Sequence, residues 1–229
     1  MKNYKWAYLI PTYKGYGKLF SQMIGFIQYV YSRNIVEKPF LYLKDYEKDE
    51  LFTVHGIPHI CHARNFLVTN GHGFTDPHAF CREVEYFIFI DEDIQFTLTD
   101  IERLKAANSD FCCGCYSWPG SKEIISGGRW DLEEFKTTHR IPLIKEDEVK
   151  GKVEPIKVDF VAMGFTKIKA DIFERIQYPF FFLKEQSIDG YRDLSYEDVS
   201  FCQKVFDATG IKPDLIPTIR LGHLKEVVG

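Results

Sequence analysis

Asp91 and Asp93 stand two residues apart, directly behind four consecutive β-formers, Phe87-Ile88-Phe89-Ile90. Two carboxylates so placed offer the hard oxygen ligands that hold Mg²⁺ or Mn²⁺, and such an ion can in turn hold a diphosphate. Every position from Tyr86 to Ile90 is aromatic or aliphatic, which reads as a strand buried on both faces, as in the centre of a covered parallel sheet. Open α/β sheets bind their ligands at the carboxyl ends of such strands. Asp91-Glu92-Asp93 also reads as a solvated acidic turn capping a strand. The tripeptide alone leaves both readings open.

The elements needed to position these acids alternate along the chain. Residues 6–10 predict a first strand closed by Pro11-Thr12, and residues 18–30 a helix with Phe20, Met23, Ile24, Ile27 and Val30 near helical spacing. Residues 40–43 form a second short strand, and residues 60–69 a helix stopped by Asn70-Gly71. Thr99-Asp100-Ile101-Glu102 reads as a capping box opening a helix through Lys105. Residues 110–116 predict the next strand, and residues 158–163 are strand-like. Residues 118–128 read as a loop and 146–151 as a charged turn. A short helix follows at 169–176, and Ser195 opens the last strong helix, which ends at Gly210. This alternation predicts a single α/β domain with a mainly parallel sheet flanked by helices. No GxGxxG follows the first strand and no P-loop occurs, which removes most of the case for a dinucleotide enzyme or a P-loop NTPase.

Composition narrows the class further. At 229 residues the chain can bury a sizeable core, and 45% hydrophobic with 16% aromatic residues argues against disorder. A formal net charge of −4 gives no basic footprint for non-specific nucleic-acid binding. No apolar run approaches the roughly 20 residues of a membrane span, and Met1-Lys2-Asn3-Tyr4-Lys5 leads into a strand rather than a signal-peptide core. The expectation is a soluble, cytoplasmic protein. The six cysteines include no CxxC pair. Cys112-Cys113-Gly114-Cys115 invites a zinc reading, yet neighbours on a strand point to opposite faces, so buried small hydrophobes are the better account. His55, His59, His62, His72 and His78 lack the matching spacing of a zinc site.

Read in order, the motifs form a set: strand-Pro-Thr at the start, Ala63-Arg64-Asn65 on an early helix, the strand into Asp91-Glu92-Asp93, and Gly114-Cys115-Tyr116 on the next strand. Phe160-Val161-Ala162-Met163-Gly164-Phe165, then Tyr196-Glu197-Asp198-Val199-Ser200-Phe201-Cys202, then Leu221-Gly222-His223 complete it. The set resembles the GT-A fold glycosyltransferases, in particular the small family-2-like enzymes of large viruses and bacteriophages, over about residues 7–224. Two departures stand out. Glu92 sits within the acidic triplet as spacer or ligand, and Asp45 and Asp49-Glu50 are poor candidates for the usual donor-side acid of the first half.

The resemblance implies roles. The nucleotide-binding half would span about residues 1–116 and the acceptor half about 117–229. Asp91 and Asp93 would hold Mn²⁺ or Mg²⁺ across the diphosphate of a nucleotide-sugar, UDP-sugar favoured, with the ion as Lewis acid. Asp93 would coordinate directly, and Asp91 through ribose or a metal-bound water. His223 would add a metal ligand, better suited to Mn²⁺. Asp198 would be the general base for an acceptor hydroxyl, with Glu197 as its understudy. A capping box from Ser195 to Asp198 would explain the same acids without chemistry. Arg64 would clamp the diphosphate or a base carbonyl, Thr12 and Tyr13 would line the nucleobase pocket, and Gly164 would allow close approach of sugar or acceptor. Trp118 and Trp130 flank Gly127-Gly128, which reads as a mobile lid; packing on a sheet edge would explain the tryptophans equally.

The implied reaction is direct displacement with inversion, since no second nucleophilic carboxylate is evident. The acceptor is a glycan or a hydroxymethylated nucleobase in DNA, for which Lys136, His139, Arg140 and Lys145 would supply local charge. Two other classes compete. A Mg²⁺-dependent nucleotidyltransferase would need a Gly-rich basic loop, thinly represented by Lys14, Gly15, Gly17 and Lys18. A non-catalytic nucleotide-binding or assembly domain would ignore metal with nucleotide.

Overall fold

The computed structural model of the chain describes residues 2–12, 22, 25–26, 49–118, 120–188 and 190–224. Its first half contains β1 (Tyr4–Thr12), β2 (Asp49–His55), α1 (Ile60–Thr69), α2 (Ala79–Glu83), β3 (Val84–Ile90), β4 (Ile94–Gln95), α3 (Leu98–Ala106) and β5 (Phe111–Tyr116). The middle contains β6 (Glu123–Gly128), α4 (Leu132–Thr138), β7 (Leu143–Lys145), α5 (Glu146–Val149), β8 (Ile156–Lys157) and β9 (Phe160–Val161). The chain ends with β10 (Phe165–Lys169), α6 (Ala170–Glu174), β11 (Lys184–Ile188), β12 (Tyr191–Ser195), α7 (Glu197–Thr209) and β13 (Asp214–His223).

The main sheet has the order β2-β1-β3-β10-β5-β13-β4, with β8 also paired to β13. Its five long strands β2, β1, β3, β5 and β13 run one way, which makes the sheet mainly parallel. β10 is inserted antiparallel between β3 and β5, and the short β4 and β8 run against β13. Alternation along each strand then divides the core into two faces. Phe87 and Phe89 meet Phe173 of α6 on one face, where Phe181 stacks on Phe201 of α7 at 4.6 Å. Trp6 stacks on Tyr86 on the other, where Tyr8, Phe26, Phe96 and Phe165 form a chain of ring contacts. Both faces are covered, as the unbroken apolar run in β3 requires.

Several local expectations change. Residues 123–128, expected in a loop, form β6, which pairs with β7 and β9. A Cβ on Gly128 would sit 2.2 Å from the Phe160 ring and 2.5 Å from the Pro142 carbonyl, so Gly127-Gly128 is close sheet packing rather than a lid. Trp130 sits edge-on to Phe160 at 6.4 Å, in keeping with packing. Residues 146–151 hold the short helix α5 instead of a turn, and the strand expected over 158–163 shrinks to β9. The capping box of α3 begins two residues earlier than read: Thr97 is the cap and Asp100 its reciprocal partner. Cys112, Cys113 and Cys115 are buried, free thiols in β5, as small hydrophobes should be. The strand expected at 40–43 and nearly all of the helix expected at 18–30 lie outside the described residues. Among the described residues, no helix is long and apolar enough to cross a membrane.

Candidate active site

The acids behind β3 form a tight turn held from three sides. The Asp91 N–H donates to the Gly164 carbonyl at 2.9 Å, and the Ile94 N–H returns to the Asp91 carbonyl at 3.2 Å. β4 then pairs with the end of β13, setting Ile94 opposite His223 and Gln95 opposite Gly222. The Leu224 N–H donates to the Asp93 carbonyl at 2.8 Å. This pairing carries His223 back across 130 residues, so that its Nε2 lies 3.2 Å from Asp93 Oδ2. The ring is 5.7 Å from that of Tyr116, and its Nδ1 is buried with no hydrogen-bond partner.

Whether a divalent ion fits here can be judged from that pair. Ligands at neighbouring octahedral positions, each about 2.1 Å from the ion, lie about 3 Å apart. The Asp93–His223 separation matches, and one oxygen with one imidazole nitrogen suits Mn²⁺ better than Mg²⁺. Among the described residues no group of three or more His, Cys, Asp or Glu side chains gathers in ligating geometry. Asp93 and His223 are the two side chains that would hold such an ion, which would need further oxygen ligands from outside the chain. Asp91 is engaged elsewhere.

Arg64 is what engages it. The guanidinium Nη2 donates to both Asp91 oxygens, at 2.8 and 3.0 Å, while Nη1 pairs with Glu197 Oε1 at the start of α7. Arg64 is only 3% exposed, so it lies under the site rather than in the solvent-filled cleft. It shares a helical face with Leu67 and Val68, three and four residues on, both buried. That spacing was the sequence signal that Arg64 points inward. Next to it, Asn65 clamps the segment leading to β11: its Oδ1 accepts from the N–H groups of Phe180 and Phe181, and its Nδ2 donates to the Phe181 carbonyl at 2.7 Å. Sequence reasoning assigned Asn65 no such task.

Asp198 follows Glu197 in the first turn of α7. The expected cap from Ser195 is absent: the N-cap is Tyr196 and makes no side-chain capping bond. Ser195 ends β12 instead, and its hydroxyl joins Ser200 Oγ at 2.7 Å and the Lys184 carbonyl. The non-chemical account of Asp198 therefore loses its capping bond. Its carboxylate accepts from the Val199 N–H at 2.7 Å. Burial, then the neighbouring Glu197 charge, pushes the Asp198 carboxyl up to about 6; Arg64 pulls the other way and is outweighed.

A cleft opens between the end of β1, the start of α1 and the acidic turn, lined by Pro11, Thr12, Ala63, Asp91, Glu92 and Asp93 among others. Thr12 is buried at its wall, with its hydroxyl donating to the Val54 carbonyl. Glu92 faces the cleft between the two aspartates. Tyr13, and the Lys14, Gly15, Gly17 and Lys18 loop, lie outside the described residues. Gly164 sits beneath the turn rather than open to the cleft: a Cβ there would fall 2.7 Å from Tyr116 Oη and 3.1 Å from Ile94 Cγ1. Its N–H donates to Tyr116 Oη at 3.1 Å. Tyr116 was quoted in the motif set without a role; it is the wedge on which the Gly164–Asp91 hydrogen bond rests.

No protein-family model matches this chain, and no curated protein matches it in sequence. Solved structures do. The viral protein A197 from STIV aligns over 98% of this chain and 96% of its own, at TM-score 0.50 and 15% identity. GalNAc-T7, solved with UDP, GalNAc and Mn²⁺, aligns over 99% of this chain at TM-score 0.55 and 12% identity. This chain spans 45% of the GalNAc-T7 chain. The fold is GT-A-like, a single α/β domain of the kind found in glycosyltransferases.

Proposed function

We propose that the protein is a metal-dependent glycosyltransferase that moves a sugar from a nucleotide-sugar, UDP-sugar foremost, to an acceptor hydroxyl with inversion. The observation that carries this reading is the meeting of Asp93 and His223 on a fold shared with glycosyltransferases, with the start of the Asp198-bearing helix tied to neighbouring Asp91 through Arg64. Asp93 and His223 are the residues that would hold Mn²⁺, which when bound would neutralise the charge of the departing diphosphate. Asp198 takes the acceptor's proton. The freed oxygen attacks the anomeric carbon, and the bond to the nucleoside diphosphate breaks with its electron pair on the leaving group. A base near pKa 6 suits this work, being mostly ionised at pH 7 yet still a useful proton acceptor. Thr12 and the β1 end line the donor side of the cleft.

A glycan is the better acceptor reading than a DNA base. Lys136, His139, Arg140 and Lys145 do not form an uninterrupted basic surface: Lys136 pairs with Glu133, and Glu134, Glu146, Asp147 and Glu148 lie among them in sequence. Phosphate binding rewards clustered positive charge, which this mixture dilutes.

The test is thermal stability against UDP, GDP, ADP, CDP and TDP, each with and without Mn²⁺, for wild type and Asp93→Ala. One nucleotide should raise the Tm only with metal, and Asp93→Ala should abolish that rise, since only a ligand of the native state stabilises. No shift with any pair would return the acids to a strand-end turn and favour a binding module.

A further inference from the structure

Resting on that reading, we propose that Arg64 is a positioning residue: by gripping Asp91 and Glu197 together, it fixes the base-bearing start of α7 to the acidic turn of β3 and leaves proton transfer to Asp198. Both terminal nitrogens of its fork are committed, Nη2 to Asp91 and Nη1 to Glu197. Nε is buried and, among the described residues, has no hydrogen-bond partner, so of these residues the two carboxylates orient the guanidinium by hydrogen bonding. Ala63 lines the cleft but Arg64 does not, and at 3% exposure it offers no donor to a diphosphate.

The bridge spans the two parts of the chain that must cooperate. Asp91 is two residues from the proposed metal ligand Asp93, and Glu197 is one residue from the proposed base. Without the bridge, Asp91 and Glu197 would be left as unpaired carboxylates near Asp198, and a buried charge without its partner moves or drags its element with it. Asn65 pins the same helix to residues 180–181 through three hydrogen bonds. Two adjacent residues of α1 thus tie the second half to the first, one through charge and one through backbone. Glu197 is held by Arg64, its Oε1 already accepting from the guanidinium, so it is not free to turn towards an acceptor hydroxyl. Lysine cannot replace the fork, because a single ammonium is a point donor.

The experiment compares wild type, R64K, E197Q and R64K/E197Q, by calorimetric titration with UDP and Mn²⁺ and by transfer kinetics with the donor. R64K should bind UDP with Mn²⁺ within about threefold of wild type and keep its donor KM, while kcat falls about a hundredfold, the scale of a misplaced reacting group. E197Q keeps an acceptor for Arg64 and should lose about tenfold or less. The double variant should be no worse than R64K, because both changes act on one link. If R64K does not fold, R64Q/E197Q, which removes one charge of each sign, should give the same split of kcat from KM. A tenfold or greater loss of UDP affinity with kcat retained would make Arg64 a donor ligand and overturn the inference. So would an E197Q as inactive as D198N. A wild type that neither binds UDP with Mn²⁺ nor turns over a nucleotide-sugar would instead remove the transferase reading, and the positioning role with it.

Discussion

Asp198→Asn should make this protein more stable and inactive at once. Burial and Glu197 lift the Asp198 carboxyl from its ordinary 3.8 to about 6, so the fold disfavours the charged form. Between those two values the folded state binds more protons than the unfolded one. Stability therefore falls as pH rises from about 4 to about 6, and the penalty is fully present at pH 7. At about 1.4 kcal/mol for each tenfold change in acidity, the shift corresponds to at most about 3 kcal/mol, and partial exposure of the side chain lowers it. Asparagine keeps the shape and sheds the charge. The expected gain is about 1–3 kcal/mol at pH 7, or about 3–8 °C in Tm for a chain of this size. Calorimetry at pH 7 and at pH 4 separates this from a packing effect, because the gain should shrink towards zero in acid. Transfer should meanwhile drop by about 10²–10⁴, the usual worth of a general base. Wild-type kcat/KM should rise about fivefold from pH 5 to 6, about tenfold from pH 5 to 7, and level off above pH 7. A D198N less stable than wild type at pH 7, or one retaining transfer within tenfold, would refute the assignment.

Gly164→Ala should cost about 1–3 kcal/mol in urea unfolding, the usual cost of overpacking, because its Cβ would press on Tyr116 Oη and Ile94. Adding Tyr116→Phe should recover part of that loss, as the nearest clashing atom is then gone; no recovery would make Ile94 and the ring itself, not the hydroxyl, the obstacle. Asn65→Ala should cost about 3 kcal/mol in the same assay, since it strips partners from the Phe180 and Phe181 backbone. A cost under about 0.5 kcal/mol would show that water replaces the amide there.

What could be read from the chain followed what is local or periodic. The unbroken β3 run announced a central strand, and the acids behind it line a cleft at its carboxyl end. α1, with its left-handed Asn70 stop, fell where its spacing and terminator put it. The failures share one cause. β6 carries two β-formers, Ile124 and Ile125, but its Ser-Gly-Gly end and the Gly/Pro/Ser residues before it read as a loop; the packing of Phe160 and Leu215 against its glycines shows why that end is a strand. Ser195 carries the local chemistry of a cap, but its hydroxyl found Ser200 and the β11 backbone, and tertiary contacts outbid the local motif. Arg64 could be placed inward by helical spacing, yet its partners 27 and 133 residues away could not. Residue type and motif order named candidates, and only the fold shows which of them hold one another.

Those pairings explain how a site with three carboxylates beside one arginine can exist. Asp91, Glu197 and Asp198 bring three negative charges to one place, and Arg64 compensates one. Holding three carboxylates this close together is costly, so one of them must bear the cost. The geometry decides which: Asp91 accepts from Arg64 through both oxygens, Glu197 pairs with its other arm, and Asp198 has only the Val199 N–H. Among the described residues no cation hydrogen-bonds to Asp198, and that lack makes it both the costly member and the basic one. In the proposed reaction a rise in basicity and a loss of stability are therefore one fact about the position of Arg64, and the residue that weakens the fold at neutral pH is the one able to take a proton.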